Sequence, residues 1–403
     1  MPELQVKSDM QYLAGRLEHR GANTQGEREA AEYILARMRE YTPSADLDEF
    51  YCADGSGFVT ASYFAEFTVV TILAVWWPLV ALIYGGLVFT LYLAEASGYA
   101  ILTRLMPQYE TQNVVARFLS SRPQMLFVVM AHYDSVKSRP LTYPKPPFWL
   151  RPAHVLMVFC MFLVLATCAV QLMDVLPEPQ AQINLWIRWM AAGLLLVGAA
   201  VILRNELLTQ NTPGINDNAT GVTALLRLAH NLSVLPIKEA DVYLVATGSN
   251  QTGMHGARHF IRSYSVDPES TYFLCLDSVG EGNSLAYVTE LGLMQSYKPP
   301  QELVMTAAAA GEVFNTVEAN LVTPHSDAML LLARGFKALE ITSVETPEEE
   351  IDEEGNPVPA PPQRIQRPVA INNMLIAHAA DYAEAILRRL VSDLELINPE
   401  QGL

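Results

Sequence analysis

The sequence has few charged residues for its length. Of its 403 residues, 17% are charged and 51% are hydrophobic. A typical soluble domain is about 25% charged. This deficit argues against a wholly soluble chain, so part of the protein is expected to lie in a membrane.

Basic residues and cysteines are also scarce. The chain has 26 Lys and Arg against 43 Asp and Glu, a formal net charge of −17. Because nucleic-acid binding needs clustered basic side chains, this balance excludes a nucleic-acid partner. The 4 cysteines are widely spaced and form neither a disulfide framework nor a CxxC knuckle. The opening residues lack a basic stretch followed by an apolar core, so no cleavable signal peptide is expected.

Two blocks of the sequence are long and apolar. Residues 67–105 contain only Glu95 and Arg104 as charges. This run is about twice the roughly 20 residues that cross a bilayer once, and Gly85-Gly86 near its middle is expected to form a turn. Residues 154–173 and 184–203 form a second apolar pair, separated by "DVLPEPQAQI". Both blocks predict membrane-spanning helices; the alternative is long core helices of a large globular protein.

The predicted topology follows from where the apolar blocks lie. If the segments around each block belong to one folded domain, each block must cross the membrane an even number of times, which gives two hairpins and four spans. Most basic residues near the span ends lie on the domain side: Arg104, Lys137, Arg139, Lys145, Arg151 and Arg204. Only Arg188 lies on the other side. The positive-inside rule therefore predicts that the domain and both termini are cytoplasmic. Glu95 is expected to make an interhelical contact near the interface.

The remaining chain alternates short β-branched runs with helical patterns, which predicts an α/β layer fold with a largely buried sheet. The runs end at polar turns and include residues 125–135, 240–248, 271–280 and 337–343. Residues 344–368 are acidic and rich in proline, which predicts a mobile loop before a last helix at 371–392.

Polar side chains follow several of these runs, where an open α/β sheet binds its ligands. They are His132, Asp134, Asp217, Asn250, Gln251, Asp277, His325 and Asp327. Histidine with several carboxylates suits zinc or a similar divalent ion. Singly, each residue has an ordinary alternative, since a histidine after a strand is often a satisfied polar residue and "NDN" is usually a turn.

The order of five motifs resembles metallopeptidase family twenty-eight, the co-catalytic zinc aminopeptidases, whose relatives include glutaminyl cyclases and the transferrin receptor ectodomain. The matching segments are "HYD" at 132–134, "GINDNATG" at 214–221, "NQTGMHGA" at 250–257, "LDSVG" at 276–280 and "SDAMLLLARGF" at 326–336. The resemblance covers roughly residues 8–60, 108–140 and 209–390. It implies a three-layer αβα zinc-exopeptidase-like domain from residues 1–60, 106–150 and 205–403, with transmembrane hairpins inserted at 61–105 and 151–204.

The resemblance also assigns roles to individual residues. It implies that His132 and Asp277 hold one metal ion, that Asp217 bridges two ions, and that Asp134 orients the imidazole of His132. The ligands of the second ion fall on Gln251 and Ala328. The general base, which accepts a proton from the attacking water, falls on Asn250.

These three departures affect one half of the site. An amide has no oxygen that titrates to accept the proton, and a neutral amide oxygen is a poor ligand for a hard divalent ion. We therefore expect at most one zinc ion, or none. His325, three residues before Ala328, or His255 could supply a relocated ligand. Asp327 keeps the Ser-Asp pair of the motif or serves as a plain turn residue.

Two functions remain open from the sequence. The first is a membrane-anchored pseudoenzyme that acts as a binding or scaffold subunit, with the lipid bilayer and other membrane-protein subunits as partners. The alternative is an active membrane-bound metallo-exopeptidase, an aminopeptidase for peptide substrates, that uses one metal or relocated ligands. A transporter or channel is disfavoured because the spans carry almost no charges that could mark a substrate path.

Overall fold

The computed structural model describes residues 2–96, 99, 101–138, 150–292, 295–323, 326–346, 350–351, 357–358 and 370–397. The chain divides into two compact units. The first, which we call the α/β unit, comprises Met1–Cys52, Glu110–Ser138 and Asn211–Leu403. The second, the helical unit, comprises Ala53–Tyr109 and Arg139–Gln210. Each unit is therefore assembled from separate stretches of the chain.

A central mixed sheet of eight strands organises the α/β unit, which confirms the predicted α/β fold. The strands are β1 (Ala45–Ala53), β2 (Gln108–Phe118), β3 (Met125–His132), β4 (Ala240–Thr247), β5 (Thr271–Leu276), β6 (Ser284–Leu291), β7 (Val317–Leu321) and β8 (Lys337–Val344). Their order in the sheet is β1-β2-β4-β3-β5-β8-β6-β7. Strands β4, β3, β5 and β8 run parallel, so their carboxyl ends share one edge.

Helices of the α/β unit pack against the sheet through two apolar clusters. Along β3, Phe127 and Val129 belong to one cluster, whereas Val128 and Met130 belong to the other. This alternation is expected of a strand buried on both faces. The helices are α1 (Pro2–Met10), α2 (Gln25–Arg39), α7 (Thr220–Val234), α8 (His255–Ser263), α9 (Gln301–Gly311), α10 (Asp327–Ala333) and α11 (Asn373–Ile397).

The helical unit contains four apolar helices, α3 (Ser56–Leu73), α4 (Pro78–Ala96), α5 (Leu150–Met173) and α6 (Glu178–Leu208). Three segments are long and apolar enough to cross a membrane, namely Pro78–Ala96, Arg151–Met173 and Glu178–Leu208. The apolar segment Gly57–Leu73 is shorter. Large apolar side chains such as Trp186 and Met190, each 68% exposed, point outward from α6. The structure thus supports a membrane protein with at least three candidate spans.

The prediction of a turn at Gly85-Gly86 is wrong. Both glycines lie inside α4, and the chain reverses before it, between Leu73 and Pro78. Proline suits the first turn of a helix because its missing N–H needs no partner there. A Cβ on Gly85 would lie 2.7 Å from Cδ2 of Leu165. Because Gly85 has no side chain, α4 can pack closely against Leu165 of α5.

The structure bears on two further predictions, one for Glu95 and one for residues 344–368. Glu95, at the end of α4, accepts hydrogen bonds from the backbone N–H groups of Ile101 and Leu102 at 2.9 Å each. Glu95 also makes the predicted interhelical contact, because the hydroxyl of Tyr63 on α3 donates to its Oε2 at 3.5 Å. Within the stretch predicted to be a mobile loop, Glu350–Ile351 (β9) pairs antiparallel with Pro357–Val358 (β10). Most of residues 344–368 lie outside the described residues, so that prediction stays untested.

Candidate metal centre

Three predicted ligands meet at the carboxyl edge of the sheet. His132 is the last residue of β3, Asp277 directly follows β5, and Asp217 lies in the turn Ile215–Ala219 before α7. One ligand atom from each of the three lies within 4.8 Å of the others. Among the described residues, this is the one group of three or more such side chains close enough to hold an ion.

The imidazole of His132 is held with one nitrogen aimed at both carboxylates. Its Nδ1 lies 3.1 Å from the backbone carbonyl of Asp134. Because a carbonyl only accepts, Nδ1 carries the proton. The other nitrogen, Nε2, lies 3.3 Å from Oδ1 of Asp217 and 3.7 Å from Oδ1 of Asp277. This orientation presents a lone pair on Nε2 to the centre of the group.

The electrostatics of the group fit a cation. Burial alone would lower the pKa of His132, but its contacts with Asp134, Asp217 and Asp277 raise the pKa well above the usual value. A nitrogen lone pair facing two carboxylate oxygens is repulsive unless a proton or a metal ion lies among them. One imidazole and two carboxylates are common zinc ligands. The residues present therefore fit one divalent ion.

The turn that carries Asp217 is tightly constrained. Gly214, at its start, has φ +58°, and a Cβ there would lie 2.6 Å from Cβ of Ser135. Only glycine adopts this backbone without strain and leaves that space free. Asn218 fixes the other side, because its amide donates to the carbonyl of Leu276 at 2.8 Å and accepts from the N–H of Ser278 at 3.0 Å. Asn218 thereby links the Asp217 turn to the segment carrying Asp277.

Gln251 donates hydrogen bonds to one predicted ligand, Asp217, and to Asp134, which the resemblance assigns to orienting His132. Its backbone N–H donates to Oδ2 of Asp134 at 2.8 Å, and its side-chain Nε2 donates to Oδ1 of Asp217 at 3.3 Å. In the family pattern, this position would supply a carboxylate to the second metal. Here an amide N–H faces the carboxylate that would bridge the two ions.

Asn250 has also turned its donor group toward a carboxylate. Its Nδ2 donates to Oδ1 of Asp327 at 2.7 Å, and Thr247 donates its hydroxyl to Oδ2 of Asp327 at 2.7 Å. Asn250 is 2% exposed and Asp327 is 5% exposed. Burial raises the pKa of Asp327. Asn250, to which the resemblance assigns the position of the base, is therefore one member of a buried amide–carboxylate pair.

The remaining predicted positions do not join the group. Ala328 is fully buried in the apolar cluster that contains Val128 and Met130. His255 opens α8 and is not part of the three-ligand group. His325 lies outside the described residues, so its proposed role as a relocated ligand stays a prediction.

Two buried charged residues near the site are not predicted by the sequence. Glu27, 1% exposed, accepts hydrogen bonds from the backbone N–H of Ser249 at 2.9 Å and of Asn23 at 2.7 Å. Burial, followed by repulsion from Asp134, raises the pKa of Glu27 to about 8. Arg20 is completely buried. Both lie in an N-terminal stretch whose many charges resemble a solvated surface, so nothing in the sequence signals their burial.

The α/β unit has a mixed fold whose central sheet resembles that of a zinc aminopeptidase of known structure. The model of Peptidase family M28 matches residues 203–363 of this chain. This match covers four of the five motifs and confirms the family resemblance over that part of the chain, whereas "HYD" at 132–134 lies outside it.

Solved structures of similar fold include a zinc aminopeptidase, a further aminopeptidase and a glutaminyl cyclase. BSAP, a zinc aminopeptidase from Bacillus subtilis, aligns with a TM-score of 0.51 at 13% identity over 96% of this chain and 94% of its own. The LapA aminopeptidase of Legionella pneumophila gives 0.51 at 9% identity, over 96% and 71%. A glutaminyl cyclase from an Acidobacteriales bacterium gives 0.50 at 12% identity, over 96% and 93%. At such identities the likeness shows the fold alone. A comparison with curated protein sequences gave no match.

Proposed function

We propose that this protein is a membrane-anchored, zinc-peptidase-like pseudoenzyme that binds one divalent ion and acts as a binding or scaffold subunit of a membrane complex. The observation that carries this proposal is the hydrogen bond from Nδ2 of Asn250 to Asp327, 2.7 Å long. The side chain of Asn250 thus donates a hydrogen bond at the position where the reaction of the family needs a proton acceptor.

His132, Asp217 and Asp277 would hold the ion, and one imidazole with two carboxylates is a donor set that zinc accepts. When bound, zinc would polarise a carbonyl oxygen as a Lewis acid. Asp134 fixes the imidazole, since its carbonyl accepts from Nδ1 of His132 at 3.1 Å. Loss of a group that hydrogen-bonds to a metal ligand typically lowers metal affinity by about 10–100-fold.

Peptide hydrolysis needs a residue that takes a proton from the attacking water. General-base catalysis is typically worth about 10²–10⁴ in rate. Asn250 cannot take this part, because its side chain has no titratable oxygen and its N–H group points at Asp327. Asp327 is itself engaged by Thr247 and Asn250 through both carboxylate oxygens. These contacts support the proposal that neither Asn250 nor Asp327 serves as the base.

The alternative function is an active membrane-bound aminopeptidase that uses a single metal. The observation in its favour is the intact group of His132, Asp217 and Asp277, whose ligand atoms lie within 4.8 Å of one another. A single-metal enzyme would still need a base from elsewhere in the chain, such as a relocated histidine.

Metal analysis and an aminopeptidase assay on the same detergent-purified protein distinguish the two functions. We expect one zinc ion per chain after reconstitution and no turnover of aminoacyl or dipeptide substrates. His132→Ala is the matched control, because it removes a ligand and should remove the ion. Two tightly bound ions in the unmodified protein, or turnover that His132→Ala abolishes, would overturn the pseudoenzyme proposal in favour of the aminopeptidase.

We further propose four spans arranged as two hairpins, with the α/β unit and both termini in the cytoplasm. The support is the four apolar helices α3 to α6 and the basic residues that flank them, while only Arg188 would lie toward the other side. Because α3 and α4 lie in one inserted segment and α5 and α6 in another, each segment would leave and return on the same side.

Reporter fusions test this topology. A periplasm- or lumen-dependent reporter placed after Trp77, in the turn before α4, or after Pro179, at the start of α6, should be active in both cases. The control is a fusion after Arg122, between β2 and β3 of the α/β unit, which should report the cytoplasm. A cytoplasmic signal after Trp77 or Pro179 would remove the corresponding hairpin from the membrane.

A further inference from the structure

Arg20 is a fully buried guanidinium that contacts two parts of the site at once. Its Nε donates to the carbonyl of Tyr133 at 2.7 Å. One terminal nitrogen donates to the carbonyl of Gly214 at 2.9 Å, and the other donates to Pro213 at 2.6 Å and to Leu13. A single rigid planar group therefore joins segments far apart in the sequence.

The carbonyls that Arg20 binds lie next to the ion ligands. Tyr133 stands between His132 and Asp134, and Gly214 opens the turn that carries Asp217. The backbone of Arg20 is fixed to the same strand end, because its N–H donates to Oγ of Ser135 at 2.9 Å and its carbonyl accepts from the N–H of Ser135 at 2.9 Å. The side chain thus sets the spacing between the His132 segment and the Asp217 turn.

Stability alone is a poor reason to bury this group. A guanidinium is rarely buried completely, and removing it from water costs several kcal/mol that hydrogen bonds only partly return. Burial lowers the pKa of Arg20 to about 10, and the negative charges of Asp134 and Asp217 oppose this shift and favour the protonated form. Its charge therefore also offsets part of the repulsion within the acidic site.

We propose that Arg20 is a positioning residue of the ion site: it holds the carbonyls of Tyr133 and Gly214 so that His132 and Asp217 are correctly spaced before the ion binds. This inference rests on the proposed single-ion function for its ligand. In this proposal Arg20 acts through the backbone carbonyls of Tyr133 and Gly214 and contacts neither the ion nor a substrate.

Arg20→Lys is the informative variant. Lysine keeps the positive charge, but its ammonium lacks the rigid fork that bridges two carbonyls at fixed spacing. The matched control is Arg28→Lys, because Arg28 lies on the surface of α2, where it pairs with Glu32 at 3.7 Å. Zinc affinity is measured by chelator competition on the full-length protein in detergent. We expect Arg20→Lys to weaken zinc binding by about 10–100-fold, the range for residues that support metal ligands, and Arg28→Lys to leave it unchanged.

Hydrogen exchange of the metal-free protein gives a second readout that does not depend on zinc. Arg20→Lys should speed exchange in residues 214–219 while strand β4 keeps its protection. If the unmodified protein binds no zinc, the proposed function fails, yet faster exchange at 214–219 still supports the role of Arg20. Unchanged affinity together with unchanged exchange in a folded Arg20→Lys protein overturns the inference.

Ser135→Ala is a milder second variant in case Arg20→Lys does not fold. It removes one hydrogen bond to the backbone of Arg20 and leaves no charge unpaired. It should weaken zinc binding several-fold and raise exchange at 214–219 modestly. A folded Ser135→Ala protein with neither change would also contradict the inference.

Discussion

Replacing Asp217 with asparagine is expected to lower zinc affinity by more than about 100-fold. Oδ1 of Asp217 lies 3.3 Å from Nε2 of His132 and faces the centre of the ligand group. Asparagine keeps the shape of the side chain but loses the negative charge that a divalent ion requires. Residues that merely support ligands already change affinity by about 10–100-fold, so a direct ligand should exceed that range.

Zinc titration of the full-length protein measures this effect. Asp267→Asn is the matched control, because Asp267 lies in an exposed turn where it accepts a hydrogen bond from Ser270 at 2.7 Å. The control should bind zinc as the unmodified protein does. If Asp217→Asn retains the same stoichiometry and affinity, the ion is held elsewhere and the assigned ligand set is wrong.

The second large effect is expected from Asn250→Asp, which restores a carboxylate near the position of the family's base. The new carboxylate would face Asp327, to which Asn250 now donates at 2.7 Å. Two buried carboxylates at that distance cannot both ionise without a cation between them. We therefore expect the free energy of unfolding at neutral pH to fall by about 3–5 kcal/mol, the cost of an uncompensated buried charge.

The pH dependence of this deficit has a definite sign. Repulsion raises the pKa of the carboxylate pair in the folded protein above its value in the unfolded chain. The variant therefore keeps its stability below the ordinary carboxylate pKa and loses it as pH rises through the raised value. Unfolding of the detergent-purified variant should accordingly approach that of the unmodified protein in acid and diverge from it near neutrality.

Exchanging the pair supplies the control. Asn250→Asp combined with Asp327→Asn keeps one amide and one carboxylate in contact and should recover most of the lost stability. A single Asn250→Asp variant as stable as the unmodified protein at neutral pH would show that the pair is not coupled.

The triple variant Asn250→Glu, Gln251→Glu and Ala328→His restores all three family residues. Its new carboxylate at position 250 must also be accommodated beside Asp327, so added zinc should stabilise that variant more than the unmodified protein.

Four of the central strands were predictable because they are short and largely buried, and most of their residues are apolar. The sequence predicted strands at the places of β3, β4, β5 and β8. β1, β2, β6 and β7 were not predicted. β1 and β7 mix buried and exposed residues, and their charged positions resemble loops. β2 is largely buried, but three of its buried positions are polar, namely Thr111, Gln112 and Asn113. Apolar composition, rather than burial itself, was therefore the signal that identified a strand.

The predictable residues of the site are those that lie at the end of a strand or within a family motif. His132 and Asp277 lie at strand ends, and the family motif located Asp217. The partners of Asn250 and Gln251 were not predictable, because Asp327 and Asp217 meet them only through tertiary packing. The hydropathy of residues 67–105 identified apolar helices correctly but not the turn, since a helix tolerates glycine at a tight contact.

The interrupted course of the α/β unit also fixes the order in which it can form during synthesis. Arg20 is made early, but Ser135 follows 115 residues later and Gly214 follows 194 residues later. Both stretches of the helical unit are therefore synthesised before the carbonyl of Gly214 exists to accept from Arg20. Contacts this distant in sequence slow folding, because the chain must first close long loops. A nascent chain that stops within the helical unit lacks Asp217 and Asp277, so the ion site is among the last parts of the molecule to assemble.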